Sequence, residues 1–86
     1  MTNYDHLPLK AKLDSYAQQH TPVGGFLTAL LTNNLFGAFG AADDTNVKLI
    51  HDYIRYIYNE LPGKCWGNPE KVRAWLAMYN PGNDRG

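Results

Sequence analysis

Cys65 and the three histidines, His6, His20 and His51, are the side chains best suited to nucleophilic or metal chemistry. Cys65 stands just ahead of a helix start and beside Lys64, and both features lower a thiol pKa. A thiolate nucleophile also needs a base, and His51 reaches it only if its helix folds back toward Cys65. No positioned acid and no oxyanion-hole motif accompany the pair. A packed Cys65 beside Trp66 is the simpler reading, so no catalytic residue is assigned and an enzyme is the least favoured class. The histidines show no paired ligand spacing, so neither a metal nor another cofactor is expected.

Three further patterns are suited to binding. Gly24-Gly25 precedes an apolar helix, where free N–H groups can donate to a phosphate or carboxylate. With Arg55 or Lys71 nearby, this defines the alternative function, a small anionic ligand or nucleotide. The segment lacks the Lys-Ser/Thr pair and the preceding strand of a phosphate loop, and a tight helix–helix turn where only Gly fits is the plainer explanation. A helix-turn-helix reading places Lys71 and Arg73 on a reading helix. The Pro62–Asn68 connection is too long for that turn, and Ala74, Ala77 and Met78 offer no base-reading amides. The third pattern is aromatic. Tyr53, Tyr56 and Tyr58 flank the apolar stripe of one helix, Asn59 and Glu60 follow, and Trp66 sits in the next loop. Tyr and Trp bring large area and a polar tip to an interface at small entropic cost. These six residues form the candidate partner-binding set, against the plainer reading that the rings roof the core.

The elements that must position these residues read as helices throughout. The first begins near Pro8 and carries Leu9, Leu13, Tyr16 and Ala17 at helical spacing. Thr21-Pro22 closes it and opens the second, which is apolar nearly all round through Phe26, Leu27, Leu30, Leu31, Leu35, Phe36 and Phe39. Asn33-Asn34 and the Gly37/Gly40 pair predict a break near residues 33 to 37, and the glycines favour close helix approach. Asp43 or Asp44 caps the third helix, whose stripe is Val47, Ile50, Ile54, Ile57 and Leu61. Pro62-Gly63 ends it, and Asn68-Pro69 opens a fourth with Val72, Trp75, Leu76 and Tyr79. The expected fold is an all-α, compact bundle of four short helices around a central apolar helix. Residues 1–79 form the single helical domain and 80–86 a flexible C-terminal tail.

Eighty-six residues with eight basic and eight acidic side chains bound one small neutral domain. Neutrality argues against charge-driven binding of nucleic acid. From Ser15 to Ala42 there is no Asp, Glu, Lys or Arg. Asn33, Asn34, Pro22 and the glycines interrupt that run, so it is not a membrane span. Asp5 and His6 stand where a secretion signal would be basic and then apolar, so the expected location is the cytoplasm. The apolar excess of the second helix leaves a surface for self-association, and a homo-oligomer is among the expected assemblies.

Two stretches carry a resemblance. Gly24-Gly25-Phe26-Leu27-Thr28-Ala29 with Leu31 and Asn33 resembles one block of a family of small bacteriophage- and prophage-encoded proteins. Tyr58-Asn59-Glu60-Leu61-Pro62, then Cys65-Trp66-Gly67-Asn68-Pro69-Glu70-Lys71-Val72 and Ala74-Trp75-Leu76, is similar to the second block. Asn68 stands where that block usually has Ser, one capping residue in place of another. The likeness spans about residues 20 to 77 and implies a phage context without catalytic residues. The leading expectation is an accessory protein that binds a host or phage protein, inhibiting or modulating a defence or housekeeping component.

Overall fold

Asn, Gly and Pro interrupt the chain so often that no helix among the described residues exceeds eleven residues. A computed structural model describes residues 4–79; the tail expected over 80–86 lies outside the described residues. The order is α1 (Lys10–Gln19), α2 (Gly25–Leu31), α3 (Leu35–Ala41), α4 (Asp44–Val47), α5 (Ile50–Glu60), a 3-10 turn (Gly63–Cys65) and α6 (Pro69–Leu76). No strand occurs among the described residues, so the fold is all-α.

Local capping explains most of the boundaries. The Asn68 side chain accepts the Lys71 N–H at 2.8 Å, with Pro69 opening α6. The expected break in the second helix falls at Thr32–Asn34. Asn33 adopts a left-handed φ of 67°, and Asn34 caps α3 by accepting the Gly37 N–H at 3.0 Å. A Cβ on Gly37 would collide with that Asn34 side chain. Gly37 therefore serves its own cap, and Gly40 meets nothing within 4 Å, so neither glycine brings α3 close to another helix of its own chain. Two other expectations are corrected. Thr21 and Pro22 do not open α2, which starts at Gly25 with Gly24 as an uncapped first position. The third helix is two pieces: Asp43 caps α4 through the Asn46 N–H at 2.7 Å, and a turn at Lys48–Leu49 precedes α5.

The core is built from Leu13 and Tyr16 of α1, Phe26, Leu27 and Leu31 of α2, Tyr53, Tyr56 and Ile57 of α5, and Val72 of α6. Burial on α5 is rotated away from the expected aliphatic stripe, since Ile54 is exposed while Tyr53 is fully enclosed. Each tyrosine tip finds a partner, which removes the cost of burying a hydroxyl. The Tyr53 hydroxyl donates to Asn46 Oδ1 at 2.7 Å and accepts the Leu9 N–H at 3.3 Å. The Tyr56 hydroxyl donates to Asp14, which also pairs with Lys10 at 3.1 Å. Tyr16 donates to the Cys65 carbonyl at 2.7 Å, and the Trp75 indole N–H donates to the Tyr16 carbonyl at 2.7 Å. His20, left-handed at φ 59°, donates from Nδ1 to the Trp75 carbonyl at 3.0 Å. These bonds clamp α1 to the C-terminal third of the domain.

The central position belongs to α2 alone. Of α3, only Ala38 is buried, and Leu35, Phe36 and Phe39 face outward. The expectation of one long apolar helix wrapped by its neighbours therefore holds for half of that segment.

Tyr16→Phe leaves the Cys65 carbonyl without its donor in a buried setting, and should cost about 1–3 kcal/mol. Urea unfolding measures it; an unchanged midpoint would refute the clamp. Burial, reinforced for Tyr56 by its bond to Asp14, pushes the Tyr16, Tyr53 and Tyr56 hydroxyls above the ordinary tyrosine value. A group whose pKa is raised by folding contributes stability that is present below its unfolded value and lost as pH rises through the folded one. Thermal melting should therefore weaken steadily above about pH 10, the ordinary tyrosine value, and Tyr56→Phe should make that decline shallower.

Candidate functional site

The break between α2 and α3 leaves a gap that α5 and the loop after the 3-10 turn only partly fill. The result is an open groove of about 320 Å³. Leu30, Leu35, Ile54 and Ile57 supply its apolar floor and wall, and Asn33, Tyr58, Trp66 and Gly67 form its rim. No charged side chain lines it.

Each wall is set by local chemistry. The Asn34 N–H donates back to the Ala29 carbonyl at 2.8 Å, folding the α2–α3 turn tightly. Asn tolerates the left-handed conformation better than other residues with a side chain. That turn leaves the Asn33 amide exposed. The opposite rim approaches through Gly67, whose φ of 123° suits only glycine. Its N–H donates to the Leu31 carbonyl at 2.7 Å, which joins the two rims through main-chain atoms. Trp66 is half-buried, donates from its indole to the Leu61 carbonyl at 3.2 Å, and lies 5.6 Å from the Tyr58 ring. Ile54 and Tyr58, one turn apart on α5, present their side chains to the groove and to solvent.

The partner-binding set expected from sequence divides here. Tyr58 and Trp66 are at the groove. Asn59 and Glu60 are exposed but do not line it, and the Asn59 amide donates to the Tyr4 hydroxyl at 3.4 Å. Tyr53 and Tyr56 are a correction: both are buried, with their hydroxyls engaged inside the fold, so neither presents a surface. The residues proposed for an anion come from separate elements, Gly24 and Gly25 from the start of α2, Arg55 from α5 and Lys71 from α6. Gly24 and Gly25 are open at the start of α2, whereas Lys71 Nζ donates to the Gly63 carbonyl at 3.3 Å. Among the described residues no hydrogen bond or ion pair joins Arg55 or Lys71 to that turn. Sequence reasoning assigned Ile54 to the core stripe and missed it as a groove residue. Its i,i+4 pairing with Tyr58 was the available signal.

Cys65 fits the simpler reading of a packed thiol. It is fully buried, and burial pushes its thiol up to about 11, the reverse of the activation that Lys64 and a helix start would give. His51 is exposed and turns toward Asp52, at 3.7 Å. The Asp52 carboxyl accepts a hydrogen bond from His6 at 2.9 Å, which holds it below the usual carboxylate range. Among the described residues, no group of three His, Cys, Asp or Glu side chains is placed to hold a metal ion.

Fold and site together define a small all-α protein with an uncharged apolar groove flanked by the exposed Tyr58 ring and the half-buried Trp66. No family model, curated protein or solved structure matches the chain. No helix among the described residues is long and apolar enough to cross a membrane.

A thiol held at about 11 carries far less thiolate at pH 8 than an ordinary one. Alkylation of native Cys65 should therefore run on the order of a hundredfold slower than that of a free cysteine. Denaturant should restore the ordinary rate, and fast labelling of the native chain would contradict the burial described.

Proposed function

We propose that this chain is a phage-encoded accessory protein that works by docking another protein, of host or phage, at the groove beneath Tyr58 and Trp66. One observation carries the reading. The two sequence blocks that resemble the phage family lie far apart in the chain and meet at this groove. Asn33 comes from the first block, and Tyr58, Trp66 and Gly67 from the second. The Gly67–Leu31 hydrogen bond links the blocks directly.

The chemistry of the lining supports a protein partner. An apolar floor, an aromatic rim and a free amide match the composition of an interface centre, where charges are depleted. The adjoining Phe36 and Phe39 extend the apolar surface beyond the groove, and contiguous apolar patches on small proteins mark interaction sites. A small anion would find no positive group in the lining. Docking at such a surface blocks whatever the partner does with the covered region, which is how a chain without its own chemistry modulates a host component.

Capture from host lysate, followed by calorimetry on the purified pair, tests the proposal. The wild-type chain should retain a partner in near-stoichiometric amount. Tyr58→Ala and Ile54→Arg should each weaken binding by about tenfold or more, as truncation at an interface centre does. Undiminished binding by both variants, or no retained partner, would overturn it.

A further inference from the structure

Helix α3 has the sequence Leu-Phe-Gly-Ala-Phe-Gly-Ala, with no polar side to turn toward water. Its only buried residue is Ala38. Phe36 lies roughly 160° around the helix from Ala38 at 3.6 residues per turn, and is 90% exposed; Phe39 is 65% and Tyr58 70% exposed. Leu35 connects this face to the groove, because it lines the groove wall and lies beside Phe39 on the helix. At 150–250 Å² per aromatic ring, Phe36, Phe39 and Tyr58 alone leave roughly 450 Å² in water.

We infer that the occupant of this face, before any other protein docks, is a second copy of the same chain. The inference rests on reading the face as a protein-docking surface, and names one partner for it. Three properties favour self-pairing about a twofold axis. First, a pair that covers the three rings together with Leu35 and Ile54 buries about 1,000–1,200 Å² in total, the threshold for a specific interface. Second, the whole segment from Ser15 to Ala42 is uncharged. Bringing α3 of one copy against α3 of another therefore opposes no like charges, the usual obstacle to self-pairing. Third, the surface is self-complementary in kind, since the same helix carries protruding rings and walls a groove with room for one. Gly40 adds close approach, as a Cβ there would meet nothing within its own chain. Residues 1–3 and 80–86 bring only Met1 as a large apolar side chain to such a face.

An interface at the threshold area makes a dimer that dissociates on dilution. Sedimentation velocity on the full chain between about 1 and about 200 µM brackets that range. The expected result is a shift from 9.7 kDa toward twice that mass as concentration rises. Phe36→Asp and Phe39→Asp should each hold the chain monomeric across the range with unchanged helicity, since both side chains lie outside the core. As a measurement needing no variant, concentration-dependent amide shifts in NMR spectra should cluster at residues 33–40 and 54–58. A wild-type monomer at every concentration, a dimer indifferent to both substitutions, or shifts clustered elsewhere would each overturn the inference. A monomer that captures another protein through Tyr58 overturns self-pairing and leaves the docking proposal standing. A Phe36-dependent dimer that captures nothing else upholds self-pairing and removes the docking of a foreign protein.

Discussion

The hydroxyl of Tyr16 reaching the Cys65 carbonyl at 2.7 Å is the contact on which the arrangement of this small domain depends. A chain of this length has little apolar area to spare. It relies on a few buried polar groups to select one packing from the several that its apolar stripes allow. Tyr16 sits at the middle of α1 and touches the C-terminal third twice, through its own hydroxyl and through the Trp75 indole on its carbonyl. His20 closes the same seam one turn later. With α1 fixed there, the 3-10 turn is held where Gly67 meets the end of α2, and the groove has both of its rims.

The same economy explains why α5 buries Tyr53 and Tyr56 while Ile54 stays exposed. A tyrosine in the core fills a large volume and needs an acceptor for its tip. Asp14 and Asn46 provide acceptors on two other elements, so each ring also fixes the position of a neighbour. Ile54 is thereby released to the surface. The outcome is a domain whose interior is rich in hydrogen-bonded tyrosine, while part of its exterior is apolar and uncharged. Helix α3 completes that inversion. A helix of Leu, Phe, Gly and Ala leaves apolar surface in water whichever side it turns inward, and here the smallest side chain, Ala38, is the one enclosed.

How much of this was legible beforehand follows the range of the interactions involved. Asn68-Pro69 and Asn33-Asn34 act on N–H groups within three residues, so the start of α6 and the break before α3 could be read directly. The all-α class followed from spacing that repeats within single segments. The fates of Tyr53, Tyr56 and Ile54 could not be read in the same way. Which side of α5 is buried was decided by acceptors at Asp14 and Asn46, and nothing in the local pattern of α5 announces them. Cys65 shows the same limit: its charged neighbour Lys64 is visible in sequence, whereas the complete enclosure that raises its thiol is a tertiary fact. Tyr58 and Trp66 were identified, but the groove between them and Leu30 exists only once the α2–α3 turn is folded beside α5.

The bond between the Gly67 N–H and the Leu31 carbonyl has an evolutionary consequence. Both atoms belong to the main chain, so substitutions at Ile54, Tyr58 or Leu35 change the lining of the groove without touching the tie that spaces its rims. The frame and the lining are thus under separate control. Lineages of such a protein can vary the shape and polarity of the groove by single exposed replacements, while Asn33 and Gly67 are held by their φ of 67° and 123°.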